Sequence, residues 1–261
     1  MLRNVSIMGV RFIDQPMWAA IAQLRSALSG ERPRTLFFAN ASTLNLACES
    51  DGYRETLNSA CYVYGDGTGV RWAARLRGLA LQSNLNGTDV IPELLRTTPG
   101  LRVYMIGSSA EQIVLAAERF PELFPDADLV GWRDGYFDHD DCGEVIDQIN
   151  ASRPDLLLVG FGNPLQERWI AAHRHRFEVP LAAGVGGLFD FWSGKRRRAP
   201  RWLRTRGLEW LHILATERHK ARRYLVGNPL FLMRMVTWLR TDREPRPVQG
   251  RALPQAGASL E

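Results

Sequence analysis

One carboxylate in this 261-residue chain stands where chemistry could be done: Asp66, in the run Tyr64-Gly65-Asp66-Gly67-Thr68-Gly69. Glycines on both sides let the backbone turn tightly, between an apolar stretch and a helix expected to begin near Val70. A carboxylate held at such a sheet edge can take the proton of a hydroxyl as a general base. The same spacing suits a tight turn in which Asp66 only caps the following helix, and spacing alone does not choose. The glycine pattern matches neither the G-x-G-x-x-G fingerprint nor a Walker loop.

Three further loops carry polar or glycine-rich signals. In Gly160-Phe161-Gly162-Asn163-Pro164-Leu165-Gln166-Glu167, Gln166 and Glu167 fall in the first turn of a helix, where amides attract anions. Gln166 is the better ligand candidate, and Glu167 is expected only to complement the helix dipole. Gly184-Val185-Gly186-Gly187-Leu188-Phe189-Asp190 suits close approach to a phosphate or a base, or equally a packing turn. Asn86-Gly87-Thr88-Asp89 reads first as a turn and helix cap, with ligand contact by Asn86 second. The five histidines (139, 173, 175, 212, 219) have no metal-ligand spacing, and neither do Cys48, Cys61 and Cys142, so no metal and no cofactor is expected.

The elements that must position these loops alternate along the chain. Strands are expected at Val5–Val10, Thr35–Phe38, Cys61–Tyr64, Leu101–Gly107, Leu129–Gly131, Leu156–Gly160 and Leu181–Val185. Between them, helical spacing covers about Met17 to Ser29, Ala41–Glu49, stretches from Val70 and from Thr88, Ala110–Phe120, Glu144–Ser152, and a helix opened by Pro164. Continuous apolar strands alternating with helices imply an α/β fold with a mostly parallel sheet flanked by helices. In such sheets ligands sit at the carboxyl ends of strands, where the loops at Gly65–Gly69, Gly160–Gln166 and Gly184–Asp190 fall.

Charge divides the chain. Residues 195–243 hold 14 Lys and Arg against three acids, a net of +11, so the remainder carries −6 of the overall +5. Such a segment calls for an anionic partner: nucleic acid, lipid headgroups or a substrate diphosphate. Pro229–Leu239 is expected to be a short amphipathic helix, and residues 241–261, rich in Pro, Gly, Ala and Gln, to be disordered. The first residues lack a signal-peptide pattern and no apolar run approaches the roughly 20 residues needed to span a bilayer, which leads us to expect a cytoplasmic protein.

The loops in this order resemble the WecG/TagA/CpsF family, glycosyltransferase family 26. The matching stretches include Phe38-Ala39-Asn40 with Asn45, Gly65–Val70, Asn86–Asp89, Met105-Ile106-Gly107 and Asp134-Gly135-Tyr136-Phe137. Pro154–Glu167, Gly184–Phe191, Arg198-Ala199-Pro200, Gly207-Leu208-Glu209-Trp210 and Arg223-Tyr224 complete the set. The resemblance implies a Rossmann-like catalytic domain over residues 1–194 and a basic helical appendage over 195–240. It further implies a metal-independent, inverting transfer from a UDP-sugar (ManNAc, ManNAc-uronate or glucose type) to a polyprenyl-diphosphate-linked saccharide. The place would be the inner face of the cytoplasmic membrane, with its anionic surface as a partner; a homo-oligomer is compatible with all of this. Asp66 matches the family's proposed base. Arginines of the appendage are thought to close over the site, with Arg222 and Arg223 leading here, and Asn40, Gly107, Tyr136, Gln166, Gly187 and Asp190 are the donor-site candidates.

The sequence departs from the family pattern in places. Phe38 replaces a frequent threonine, Leu165 a lysine and Ile213 an arginine, and Glu217-Arg218 stands for Glu-Pro. Two other readings are weaker. A sugar-nucleotide epimerase or oxidoreductase would need the missing cofactor fingerprint, and a nucleic-acid-binding module built on the basic segment would leave the α/β loops without a purpose.

Overall fold

The computed structural model describes residues 3–30, 33–196 and 227–241. Six strands form one sheet: β3 (Arg34–Ala39), β4 (Tyr62–Gly65), β5 (Leu101–Gly107), β6 (Ala127–Arg133), β7 (Leu156–Gly160) and β8 (Leu181–Gly184). Their order is β4-β3-β8-β7-β5-β6 and every pairing is parallel. Alternate residues point to opposite faces, so one core holds Phe37, Val63, Ile106, Leu157 and Val159, and the other holds Leu36, Tyr64, Met105, Leu158 and Ala183. Both faces of the sheet's centre are buried, which is why β7 and β8 read as unbroken apolar runs.

Ten helices are described. On the first face lie α2 (Ala41–Glu49), α3 (Asp51–Asn58), α4 (Thr68–Leu76), α7 (Gly143–Ala151) and α8 (Leu165–His173). On the second lie α1 (Met17–Leu28), α5 (Gly87–Arg96), α6 (Ala110–Leu123) and α9 (Leu188–Trp192). The last, α10 (Gly227–Thr241), packs on the first face through Phe231 and Met235. The expected α/β fold with a parallel sheet is the one observed.

Two local expectations were corrected. The single strand expected over Val5–Val10 is an antiparallel hairpin, β1 (Arg3–Ile7) with β2 (Val10–Asp14). Met8 and Gly9 both take positive φ, 51° and 77°, the geometry of a two-residue hairpin turn. Only Gly9 advertises such a turn, because a methionine rarely adopts it. Helix α3 was not expected at all. Ser50 caps it, its Oγ accepting the Tyr53 N–H at 3.3 Å, and Tyr53 and Leu57, one turn apart, are both fully buried.

The hairpin also holds the chain around Asp66. Asp14, buried at the end of β2, pairs with Arg3 and accepts the Gln82 N–H at 2.8 Å. Arg3 also donates to the Ala80 carbonyl at 2.6 Å. These bonds fix the segment after α4, and from it the Asn84 Oδ1 accepts the Gly67 N–H at 2.8 Å.

Candidate active site

A cleft of about 620 Å³ opens at the carboxyl ends of β3, β4, β7 and β8. Asp66 stands on its wall, half-buried, just past the end of β4. Its N–H donates to the Ala39 carbonyl at 2.9 Å, so the turn is anchored on one side to β3 and on the other to Asn84. Gly67 takes φ +87°, a conformation that favours glycine, and it occupies the cap position of α4. Asp66 lies one residue ahead of the cap.

Phe38 forms part of the same wall, buried under Gly87, where a Cβ would come within 3.1 Å of the ring. Its ring packs edge-on against Tyr64 with centroids 6.1 Å apart. Asn40 lines the cleft, but its Oδ1 is committed to capping α2, accepting the Ser42 and Thr43 N–H groups at 3.0 and 3.2 Å. Asn86 is the cap residue of α5 and also lines the cleft; its Nδ2 donates to Asp89 at 2.7 Å and its Oδ1 accepts from the Thr88 hydroxyl at 2.7 Å. The reading of Asn86 as a turn residue first agrees with this geometry.

On the opposite wall the picture of the Gln166–Glu167 pair changes. Gln166 is 2 % exposed and its oxygen is fully used: Oε1 accepts the Gly162 and Gly186 N–H groups at 3.2 and 2.9 Å, while Nε2 donates one of its two N–H groups to Glu167 at 2.7 Å. It ties the β7 loop to the β8 loop from inside the cleft wall. Glu167, expected merely to face the helix dipole, is instead fully buried and accepts from Asn163, Gln166 and the Tyr53 hydroxyl. Burial pushes its carboxyl above the usual range, and those three donors oppose the shift. The Tyr53 hydroxyl is pushed well up, chiefly by burial and then by the Glu167 charge, so it remains a donor.

Gly187 lines the cleft beneath an arginine: a Cβ there would lie 3.0 Å from the Arg196 guanidinium. Arg196 also lines the cleft and is held by Asp190, Nε to Oδ2 at 3.1 Å. Asp190, expected as a donor-site residue, thus addresses the site through Arg196. In the sequence Arg196 opens a run of three arginines, and nothing in its spacing marks it as one that folds over a glycine. Arg222 and Arg223 lie outside the described residues.

Gly107 and Tyr136 form a second group beside the cleft. Strand β5 leads on to β6 on one side and β7 to β8 on the other, so the crevice between β5 and β7 is a topological switch point, where α/β folds bind ligands. Gly107 pairs with Gly160 there, and the Gly135 N–H donates to the Ser108 carbonyl at 2.9 Å. Tyr136, next to Gly135, is 80 % exposed. Gly107, Gly160 and Gly186 then make a backbone floor leading toward the cleft: a Cβ at Gly160 would meet the Gly186 carbonyl at 2.9 Å.

The cleft mouth is rimmed by Trp72 of α4 and Leu232 of α10, and the two helices lie side by side. Gly69 admits the Phe231 ring, and the Arg77 guanidinium stacks 4.1 Å from the Trp238 ring. Arg234 fastens α10 to α2 through the Asn45 carbonyl and Glu49, at 2.8 and 2.9 Å. Among the described residues no three His, Cys, Asp or Glu side chains converge as metal ligands, and no helix is long and apolar enough to cross a membrane.

A parallel sheet whose strand-end loops gather a carboxylate, a glycine floor and an arginine around one open cleft defines a Rossmann-like α/β enzyme site. The chain belongs to the glycosyl transferase WecG/TagA/CpsF family, whose model matches residues 5–245. It is 34 % identical over 237 residues, 90 % of this chain and 91 % of the relative, to an N-acetylglucosaminyldiphosphoundecaprenol N-acetyl-beta-D-mannosaminyltransferase of Bacillus spizizenii. A Staphylococcus aureus protein of the same name is 28 % identical over 236 residues, covering 89 % of this chain and 92 % of its own. The resemblance read from the loops is thereby borne out, and the chain is a glycosyltransferase.

Proposed function

We propose that this enzyme transfers an N-acetylhexosamine, of the N-acetylmannosamine type, from a UDP-sugar to a hydroxyl of a polyprenyl-diphosphate-linked saccharide, with inversion and without a metal. The observation that carries the reading is Asp66 on the wall of an open cleft that also contains Arg196 and the Gly186-Gly187 backbone. Inverting transfer needs a base on the acceptor hydroxyl and positive charge at the departing diphosphate. Asp66 supplies the first. Arg196, pre-oriented by Asp190, contributes to the second, together with appendage arginines such as Arg222 and Arg223. The nucleotide lies along the glycine floor from the exposed Tyr136 ring past Gly107 toward Gly187, where missing side chains let phosphate oxygens reach backbone N–H groups. The sugar type and the acceptor follow the names of the two relatives. A panel of radiolabelled UDP-sugars offered with a lipid-diphosphate-linked N-acetylglucosamine should give labelled lipid product with UDP-N-acetylmannosamine, and the yield should survive a chelator. No product with any UDP-sugar, or product abolished by chelator and restored by a divalent cation, would count against the substrate class or the metal independence respectively.

The enzyme works as a peripheral protein on the inner face of the cytoplasmic membrane, and the α4–α10 rim is the contact. It exposes Trp72, Leu76, Leu232, Met233 and Val236, and residues 68–80 and 227–241 include Arg71, Arg75, Arg77, Arg234 and Arg240 with no acid. Apolar side chains with interleaved arginines suit the interface of an anionic bilayer. The double substitution Leu76→Glu, Met233→Glu should weaken co-sedimentation with phosphatidylglycerol vesicles by roughly tenfold or more while leaving UDP affinity unchanged. Unaltered sedimentation of that variant would move the contact elsewhere.

A further inference from the structure

We propose that Asn163 reads the transferred sugar by presenting its side-chain oxygen to a hydrogen-bond donor on the pyranose, and that Glu167 is the positioning residue that fixes this orientation. The inference rests on the transferase reading and extends it to a residue that the loop patterns did not single out. Asn163 lies on the cleft wall. Its Nδ2 donates to the Glu167 Oε1 at 2.6 Å and approaches the Tyr53 hydroxyl at 3.5 Å. The same Oε1 accepts from Gln166 Nε2, whose orientation the Gly162 and Gly186 amides fix, and as an acceptor there it takes the nitrogen end of the Asn163 amide. The nitrogen is turned toward α3 and α8, and the oxygen is left as the polar group available to the cleft.

Glu167 can hold that orientation because its own position is fixed from several sides. It is fully buried, and its two oxygens are shared among three donors: Asn163 and Gln166 on Oε1, Tyr53 on Oε2 at 3.1 Å. Gln166 cannot take the same role, since its own oxygen is already held by the Gly162 and Gly186 amides. The two adjacent amides therefore divide the work. Gln166 clamps the β7 and β8 loops together, and Asn163 faces the ligand. An amide oxygen accepts a hydrogen bond and gives none, so it suits a sugar hydroxyl or the N–H of an acetamido group.

Binding measured by calorimetry on the full-length enzyme tests this, with UDP, UDP-N-acetylmannosamine and UDP-mannose as probes. Asn163→Ala should weaken UDP-N-acetylmannosamine by about tenfold and leave UDP unchanged, because one hydrogen bond to the sugar is lost. A loss confined to the N-acetylated probe assigns the contact to the acetamido N–H; an equal loss with UDP-mannose assigns it to a hydroxyl. Glu167→Gln leaves one oxygen for three donors, so it should reproduce the sugar-specific loss with UDP binding intact. Combined with Asn163→Ala it should add almost nothing, since both act through one contact. A merely structural Glu167 would lower UDP affinity as well, or add its loss to that of Asn163→Ala. Wild-type sugar affinity in Asn163→Ala, or parallel losses for UDP and UDP-sugar, would overturn the proposal alone. Wild-type enzyme that binds no UDP-sugar would overturn the transferase reading, and the proposal with it.

Discussion

Asp66→Asn is expected to lower the turnover of sugar transfer by roughly 10²–10⁴-fold, the range over which a positioned general base acts. The substitution is nearly isosteric, and the bonds that place the turn are made by backbone: the Asp66 N–H to the Ala39 carbonyl and the Gly67 N–H to Asn84. The variant should therefore fold normally and bind UDP with unchanged affinity, since what it lacks is an acceptor for the hydroxyl proton. Single-turnover rates with labelled donor, measured beside UDP titrations, separate the two effects. If the variant turned over like wild type, Asp66 would have no part in the chemistry. If it lost UDP binding instead, the carboxylate would belong to donor binding.

The second large effect is expected at the glycine floor. Gly107 takes φ +137°, and a Cβ there would lie 2.6 Å from both the carbonyl carbon and the oxygen of Gly160 on the neighbouring strand. Backbone cannot swing aside as a long side chain can. Gly160 is itself hemmed in: a Cβ there would approach the Phe189 ring at 2.8 Å and the Gly186 carbonyl at 2.9 Å. Gly107→Ala should thus push β5 from β7 at the point where the nucleotide is proposed to lie, at a cost of about 2–4 kcal/mol. For a chain of this size that lowers Tm by roughly 5–15 °C, and UDP affinity should fall with it. Gly67→Ala makes a useful contrast in a melting experiment. Its φ is +87° but a Cβ would meet nothing within 4 Å, so only a backbone penalty of about 1–2 kcal/mol applies. Equal melting temperatures for the two alanine variants would show that the close approach of β5 and β7 carries no energetic weight.

Much of the architecture was legible because it depends on local periodicity. Leu156–Gly160 is apolar throughout and Leu101–Gly107 is so apart from Arg102 near its start, a pattern that a strand covered on both faces sustains, and both were placed to the residue. Ala41–Glu49 was equally plain, opened by the capping asparagine Asn40. The hairpin after Ile7 was not, because its turn begins at a methionine in a conformation that side chains normally avoid. Helix α3 was missed because its eight residues bury only Tyr53 and Leu57, and it stands by docking against β2, α2 and α8.

For the site the division falls elsewhere. The sequence by itself determined that Asp66 sits in a glycine-flanked turn at a strand end, and that glycines recur at the ends of β5, β7 and β8, because turn chemistry is written in adjacent residues. Only the tertiary structure decided what those turns face. It set Asn84 under Gly67, Arg196 over Gly187 and the ring of Phe38 beneath Gly87, contacts between residues that share no local pattern. It also added to the roles of two neighbours in one motif: Gln166 clamps two loops while lining the cleft, and Glu167 is a buried anchor, with Asn163 on the cleft wall. A side chain's type states which hydrogen bonds it can make, and which of them it does make depends on partners brought in from elsewhere in the chain, as Tyr53 is brought to Glu167.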